Sequence, residues 1–115
     1  MDKRRLQRVS SLMKEELGSL IISDALKDPR IDKLVSITDI EITNDLSLAK
    51  IYISHYGNRE KGLGVLEALN HAAGFIQKEL AHRMKLRITP KCLFVYDESI
   101  ERGFRISETL KNISK

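Results

Sequence analysis

The stretch LNHAAGFIQKEL, residues 69–80, decides how this chain folds. It is built from good helix formers, yet Gly74 stands in its middle, where glycine costs a helix about 1 kcal/mol relative to alanine. Two readings are open. Either two helices simply meet, with Gly74 as the C-cap of the first, or a kink at Gly74 makes a binding surface.

Moving outward, Ile76, Leu80 and Met84 recur at every fourth position and predict a helix over residues 75–84. On the other side, Leu63, Leu66, Leu69 with Asn70, and Ala73 give a second helical stripe over residues 61–73. Both are expected to bury Leu66, Leu69, Ile76 and Leu80 against a sheet. Upstream, IEITNDLSLAK (residues 40–50) carries turn chemistry at 44–47 between two apolar runs, which predicts a hairpin. Its second strand, 48–54, alternates cleanly, with Ala49, Ile51 and Ile53 facing in and Lys50 and Tyr52 out. In the first strand, 34–43, the apolar phase shifts between Val35/Ile37 and Ile40/Ile42, so a bulge is expected there.

The N-terminal helix is expected over residues 3–26, on the stripe Leu6, Val9, Met13, Leu17, Leu20 and Ile21. Asp2 is its N-cap, and Pro29 stops it by disfavouring helical backbone at Asp28. A third strand is expected over 86–97, bent where Pro90 lacks a ladder donor. The segment from about 98 to 115 reads as a short C-terminal helix or tail on Ile100, Phe104, Ile106, Leu110 and Ile113. The order α-β-β-α-α-β predicts an α+β fold: one domain, with a three-stranded sheet and helices packed on one face.

Bulk properties exclude several function classes. The sole cysteine, Cys92, leaves no internal disulfide and no cysteine-based zinc site. No apolar run approaches the roughly 20 residues of a membrane span. The charged start, MDKRRLQRVS, does not read as a signal peptide, so the cytoplasm is the expected compartment.

Net charge is +4, and its distribution is polarised. Lys3, Arg4, Arg5, Arg8 and Lys14 crowd the N-terminus, and Lys78, Arg83, Lys85, Arg87 and Lys91 follow Gly74. Between them lies an acidic stretch with Asp32, Asp39, Glu41 and Asp45. Such polarity suits a polyanionic partner.

The element order is that of a type II KH domain, and the chain resembles the bacterial ribosome-binding factor A family over nearly its whole length. The blocks that carry the resemblance are RVSSLMKEELGSLI, DPRI, VSITDIEITNDLSLAKIYIS, AAGFIQKELAHRMKLRITP and FVYDESIERGFRI. It implies a small, cytoplasmic, non-enzymatic assembly factor. Such factors bind the free small ribosomal subunit, help its 16S rRNA mature, and matter most in the cold. The partners implied are 16S rRNA, the subunit and other assembly factors. No cofactor, no membrane and a monomeric state are expected.

Ordinary KH domains clamp RNA with a G-x-x-G loop between paired helices. The resembled family has a kinked A-x-G turn instead, matched here by Ala72, Ala73 and Gly74. The candidate RNA-binding set is therefore Arg4, Arg5, Arg8, Ala72, Ala73, Gly74, Lys78, Arg83, Lys85 and Arg87. The basic residues after Gly74 are each expected to be exposed.

Other readings of the residues are weaker. His55, His71 and His82 lack close ligand spacing, so no metal is expected. Asp39 and Glu41 share a strand face, as paired catalytic carboxylates do, but nothing else supports acid–base chemistry. Ser10, Ser11 and Ser54 have no nucleophile-elbow context, and no catalytic residue is assigned. Tyr52, Tyr56, Phe94 and Tyr96 are the only plausible stacking aromatics, and because aromatics at alternate strand positions are more often core or sheet surface, they stay outside the site. The alternative function is a KH-fold protein-interaction module that uses the acidic hairpin.

Overall fold

The computed structural model describes residues 2–23 and 25–99. Its elements are α1 (Lys3–Ile22), β1 (Val35–Ile42), β2 (Leu48–His55), α2 (Arg59–His71), α3 (Ala73–Met84) and β3 (Lys91–Tyr96). This is the expected α-β-β-α-α-β order. β2 is central, antiparallel to β1 and parallel to β3. The expected C-terminal helix or tail lies, beyond Ser99, outside the described residues.

The three helices of the described residues cover one face of the sheet. Ile37, Ile40, Ala49, Ile51, Ile53 and Phe94 point into the layer, where Met13, Leu17, Leu20, Val65, Leu69, Ile76, Leu80 and Met84 meet them. The register slips between Ile37 and Asp39, where the shift in apolar phase places a bulge. The slip keeps Ile37 and Ile40 on the same buried face although they stand three positions apart.

Three boundaries differ from expectation. α1 stops at Ile22, not near Leu26. The Ser23 hydroxyl donates to the Leu20 carbonyl at 2.8 Å, an alternative to continued helix, and Lys27 takes a left-handed backbone with φ 49°. Ala25, Leu26 and Ile31 still pack against the core, as a loop. β3 begins after Pro90, which is fully buried, so residues 86–89 are loop and not bent strand. Leu66 is only partly buried, and Leu63 is 43% exposed.

The third difference concerns the helix junction. α2 and α3 meet at Ala72, with φ −89° and ψ 5°, and Gly74 is the second residue of α3. Its φ is not positive, and a Cβ built on it meets nothing within 4 Å. The break is real, but glycine does not make it. Gly74→Ala is therefore expected to leave the fold intact and to raise stability by up to about 1 kcal/mol. A lower melting temperature in the alanine variant would contradict this geometry.

At Gly62 the fold does require glycine. A Cβ there would stand 2.6 Å from the Tyr96 ring and 3.1 Å from the His55 Cβ. That absence lets α2 lie close on the sheet.

His55 is the buried polar residue of the layer, its side chain fully enclosed. Its Nδ1 accepts the Gly57 backbone N–H at 2.9 Å, and its Nε2–H donates to the Asp32 carboxylate at 2.9 Å. The end of β2, the start of α2 and the loop before β1 are thereby joined.

At one residue of each open edge of the sheet, side chains take up the backbone groups. On β3, the Asn70 amide donates to the Phe94 carbonyl and accepts the Phe94 N–H, each at 2.9 Å. On β1, the Ile40 N–H donates to Asp39 Oδ1, and the Ile40 carbonyl accepts the Ser10 hydroxyl. Strand addition at mid-edge is blocked on each side.

Candidate nucleic-acid interface

α3 buries Ile76, Leu80 and Met84, which turns Gly74, Phe75, Lys78 and His82 to solvent on its opposite side. Gly74, Lys78 and His82 repeat at every fourth position and form one stripe. Lys85 follows α3, exposed, as its C-cap in left-handed backbone with φ 52°. Arg87 follows in the loop to β3, also exposed. Gln77 ties that loop to α3 by donating to the Thr89 carbonyl at 3.0 Å.

At the other end of the stripe, α3 starts without a side-chain cap, and no acidic residue lies in its first turn. The first N–H groups of a helix and its dipole favour an anion there. Glu79 is turned toward Arg83 and does not neutralise the stripe. The exposed side of α3 therefore presents a helix start with nothing over Gly74, then cations down to Arg87.

Arg83 departs from the exposed position expected of it. It is only 29% exposed and lies 3.6 Å from Glu16 of α1 and 3.8 Å from Glu79. Its guanidinium links α1 to α3. Ala72 and Ala73 are half-buried at the junction.

Arg4, Arg5 and Arg8 are exposed on the first turns of α1. That end of α1 runs beside β1, where Lys3, Leu6, Gln7 and Ser10 share a cleft with Asp39 and Ile40. Gly74, Lys78 and His82 thus share one exposed side of α3, Lys85 and Arg87 follow it in the chain as exposed cations, and the three arginines stand on another element. α1 and α3 touch through Arg83 and Glu16.

Two exposed residues on the α3 face lie outside the set expected from sequence, Phe75 and His82. Phe75, not counted among the plausible stacking aromatics, is 47% exposed, whereas Phe94 is 1% exposed. The signal for Phe75 was available. It falls out of phase with Ile76, Leu80 and Met84, so a helix that buries those must expose it.

The remaining polar groups hold structure. Burial raises the Asp32 carboxyl, but the hydrogen bonds from His55 and the Leu34 N–H outweigh it and leave its pKa lowered. Both His55 nitrogens are engaged, so this pair braces a loop and leaves no nitrogen free to act as a base. Asp45 organises the hairpin turn. Hydroxyls of Ser47 and Thr43 and the Ser47 N–H hold its pKa down to about 2. Burial pushes the Cys92 thiol up to about 11, so it is not a reactive thiolate. Among the described residues no group of three His, Cys, Asp or Glu side chains is placed to hold a metal. Nor, among them, is any helix long and apolar enough to cross a membrane.

Comparison with known proteins agrees with this architecture. The family profile of ribosome-binding factor A matches residues 5–110. The chain belongs to that family. A family member from Caldanaerobacter subterraneus subsp. tengcongensis is 47% identical over 111 residues, which cover 96% of this chain and 90% of that one. The crystal structure of ribosome-binding factor A from Thermus thermophilus superposes with a TM-score of 0.69 at 26% identity. The match covers 82% of this chain and 97% of that one. A second Thermus thermophilus family structure, a homology model fitted into a cryo-EM map of a 30S complex, has a TM-score of 0.56. It is 25% identical and covers 76% of this chain and 93% of that one.

Proposed function

We propose that this protein binds the small ribosomal subunit during late assembly and docks on 16S rRNA through phosphate contacts made by the open face of α3. Family membership supports the partner, since a Thermus thermophilus relative is fitted into a 30S complex. The observation that carries the contact surface is the alignment of Gly74, Lys78 and His82 along one exposed side of a helix with no acidic residue in its first turn, followed by exposed Lys85 at its C-cap. Gly74 alone would not carry it, because Gly18 and Gly64 stand equally open.

The mechanism is differential binding. A protein that favours one rRNA conformation shifts the immature subunit toward it without covalent chemistry. Turnover, cofactor and metal have no part in this reading. The protein acts in the cytoplasm, alongside other assembly factors. It acts as a monomer, a reading supported by the side-chain bonds that occupy the backbone groups of Phe94 and Ile40 on the two sheet edges.

A second reading uses the face of the sheet opposite the helices, where Asp39 and Glu41 are exposed, as a protein-docking surface. Stripping the subunit proteins, across a salt series, separates the two. Co-sedimentation with purified small subunits, with and without their proteins, should weaken steeply as salt rises if phosphates are the contact. Binding lost when the subunit proteins are stripped, at every salt concentration, would favour the acidic face.

A further inference from the structure

Phe75 is the side chain on the α3 face that charge does not explain. It is 47% exposed, the third residue of α3, and takes no part in the core that Ile76, Leu80 and Met84 fill. Lys78 and His82 follow it by three and seven residues on the same side of the helix. On its other flank Gly74 adds no side chain, and the space a Cβ would take there is open. An apolar ring thus stands in water between a bare stretch of helix start and a cation.

Stacking on an aromatic ring, with the phosphate held by a neighbouring cation, is how proteins take bases that have left a helix. We infer that Phe75 stacks on an unpaired base, so that the α3 face takes RNA with splayed bases in preference to a duplex. The inference rests on the phosphate-binding reading of the same face and names the kind of RNA it takes. A duplex keeps its bases stacked on one another and offers this ring only sugar and phosphate. A single strand can place a base on Phe75 while its backbone passes the open space at Gly74 toward Lys78.

The test uses two probes, a short oligoadenylate and an RNA duplex with the same number of phosphates, each titrated by fluorescence anisotropy across a salt series. Phe75→Leu keeps apolar bulk and helix propensity; Phe75→Tyr keeps the ring. Circular dichroism confirms that both are folded. Wild type and Phe75→Tyr should prefer the single strand. Phe75→Leu should lose about tenfold on the single strand, at every salt concentration, with its salt slope and its duplex binding unchanged. Lys78→Ala should instead flatten the slope by roughly 0.7 on the single strand.

Phe75→Leu binding like wild type, losing equally on both probes, or a wild type that binds neither probe or shows no preference, overturns the stacking role. So does a Phe75→Leu variant that leaves small subunits while still binding oligoadenylate normally, which would assign Phe75 to a protein contact. If Phe75→Leu behaves as expected but Lys78→Ala leaves the slope untouched, stacking stands and the phosphate reading of this face fails.

Discussion

Stability should fall by about 3 kcal/mol or more when His55 is replaced by alanine, because two losses coincide. The first is volume. The imidazole is fully enclosed between β2 and α2, and its removal opens a cavity beside Gly62 and Tyr96. The second is polar. The Gly57 N–H loses its acceptor and the Asp32 carboxylate loses its 2.9 Å donor. For a domain of this size such a change should lower Tm by more than roughly 10 °C. His55→Phe restores most of the volume but none of the hydrogen bonds, and should cost about 1–3 kcal/mol. Thermal melts of the two variants separate packing from hydrogen bonding. A His55→Phe protein as stable as wild type would show that the polar bridge contributes nothing.

The same bridge gives a pH dependence with a definite sign. Asp32 has a lowered pKa in the fold, so its contribution is complete above the ordinary carboxylate range and is lost as pH falls through the folded value. Asp45, held down to about 2, acts in the same direction. Stability should therefore decline on acidification below the usual carboxylate pKa.

The parts of this molecule legible in its sequence are those governed by local periodicity. The bulge near Thr38 could be read because a phase shift in apolar residues has one simple cause in a strand. The alternation of Ala49, Ile51 and Ile53 named the inner face of β2 directly. The helix break was also legible, but its position was not. Glycine is the commonest reason for such a break, and here the chain turns at Ala72, two residues earlier, in ordinary backbone that any residue can adopt.

Contacts between distant residues left no local trace. His55 meets Asp32 across 23 residues, and Asn70 meets Phe94 across 24. Arg83 looked like its basic neighbours because sequence does not reveal that Glu16 of α1 lies against it. The candidate site was legible as a composition and only partly as a surface. The helical phase of α3 turns Lys78 to water and Arg83 to α1, and Lys85, in left-handed backbone past the helix end, is also exposed.

That sorting shapes the binding prediction of largest effect. The variant Lys78→Ala/Lys85→Gly/Arg87→Ala should lose on the order of 100-fold in affinity for small subunits at about 0.1 M salt, if each side chain holds a phosphate. The log–log salt slope should flatten by roughly 2 to 3, the sum over three contacts. Folding should be spared. Lys78 and Arg87 are exposed, where substitutions usually stay within about 0.5 kcal/mol, and glycine suits the left-handed backbone of Lys85. Arg83→Ala serves as the contrast. Its loss acts on the link between α1 and α3, so it should lower stability slightly, by at most about 1 kcal/mol, and leave the slope nearly unchanged. Arg4, Arg5 and Arg8 form the second arm. Their removal should flatten the slope further only if α1 lies against the same RNA. On the opposite face Glu41 is the clean control, because Asp39 and Asp45 hold Ile40 and the hairpin turn by hydrogen bonds. Glu41→Lys should leave co-sedimentation intact or strengthen it. If instead the triple variant stays folded and sediments like wild type while Glu41→Lys dissociates, the contact is made by the acidic face and the partner there is a protein.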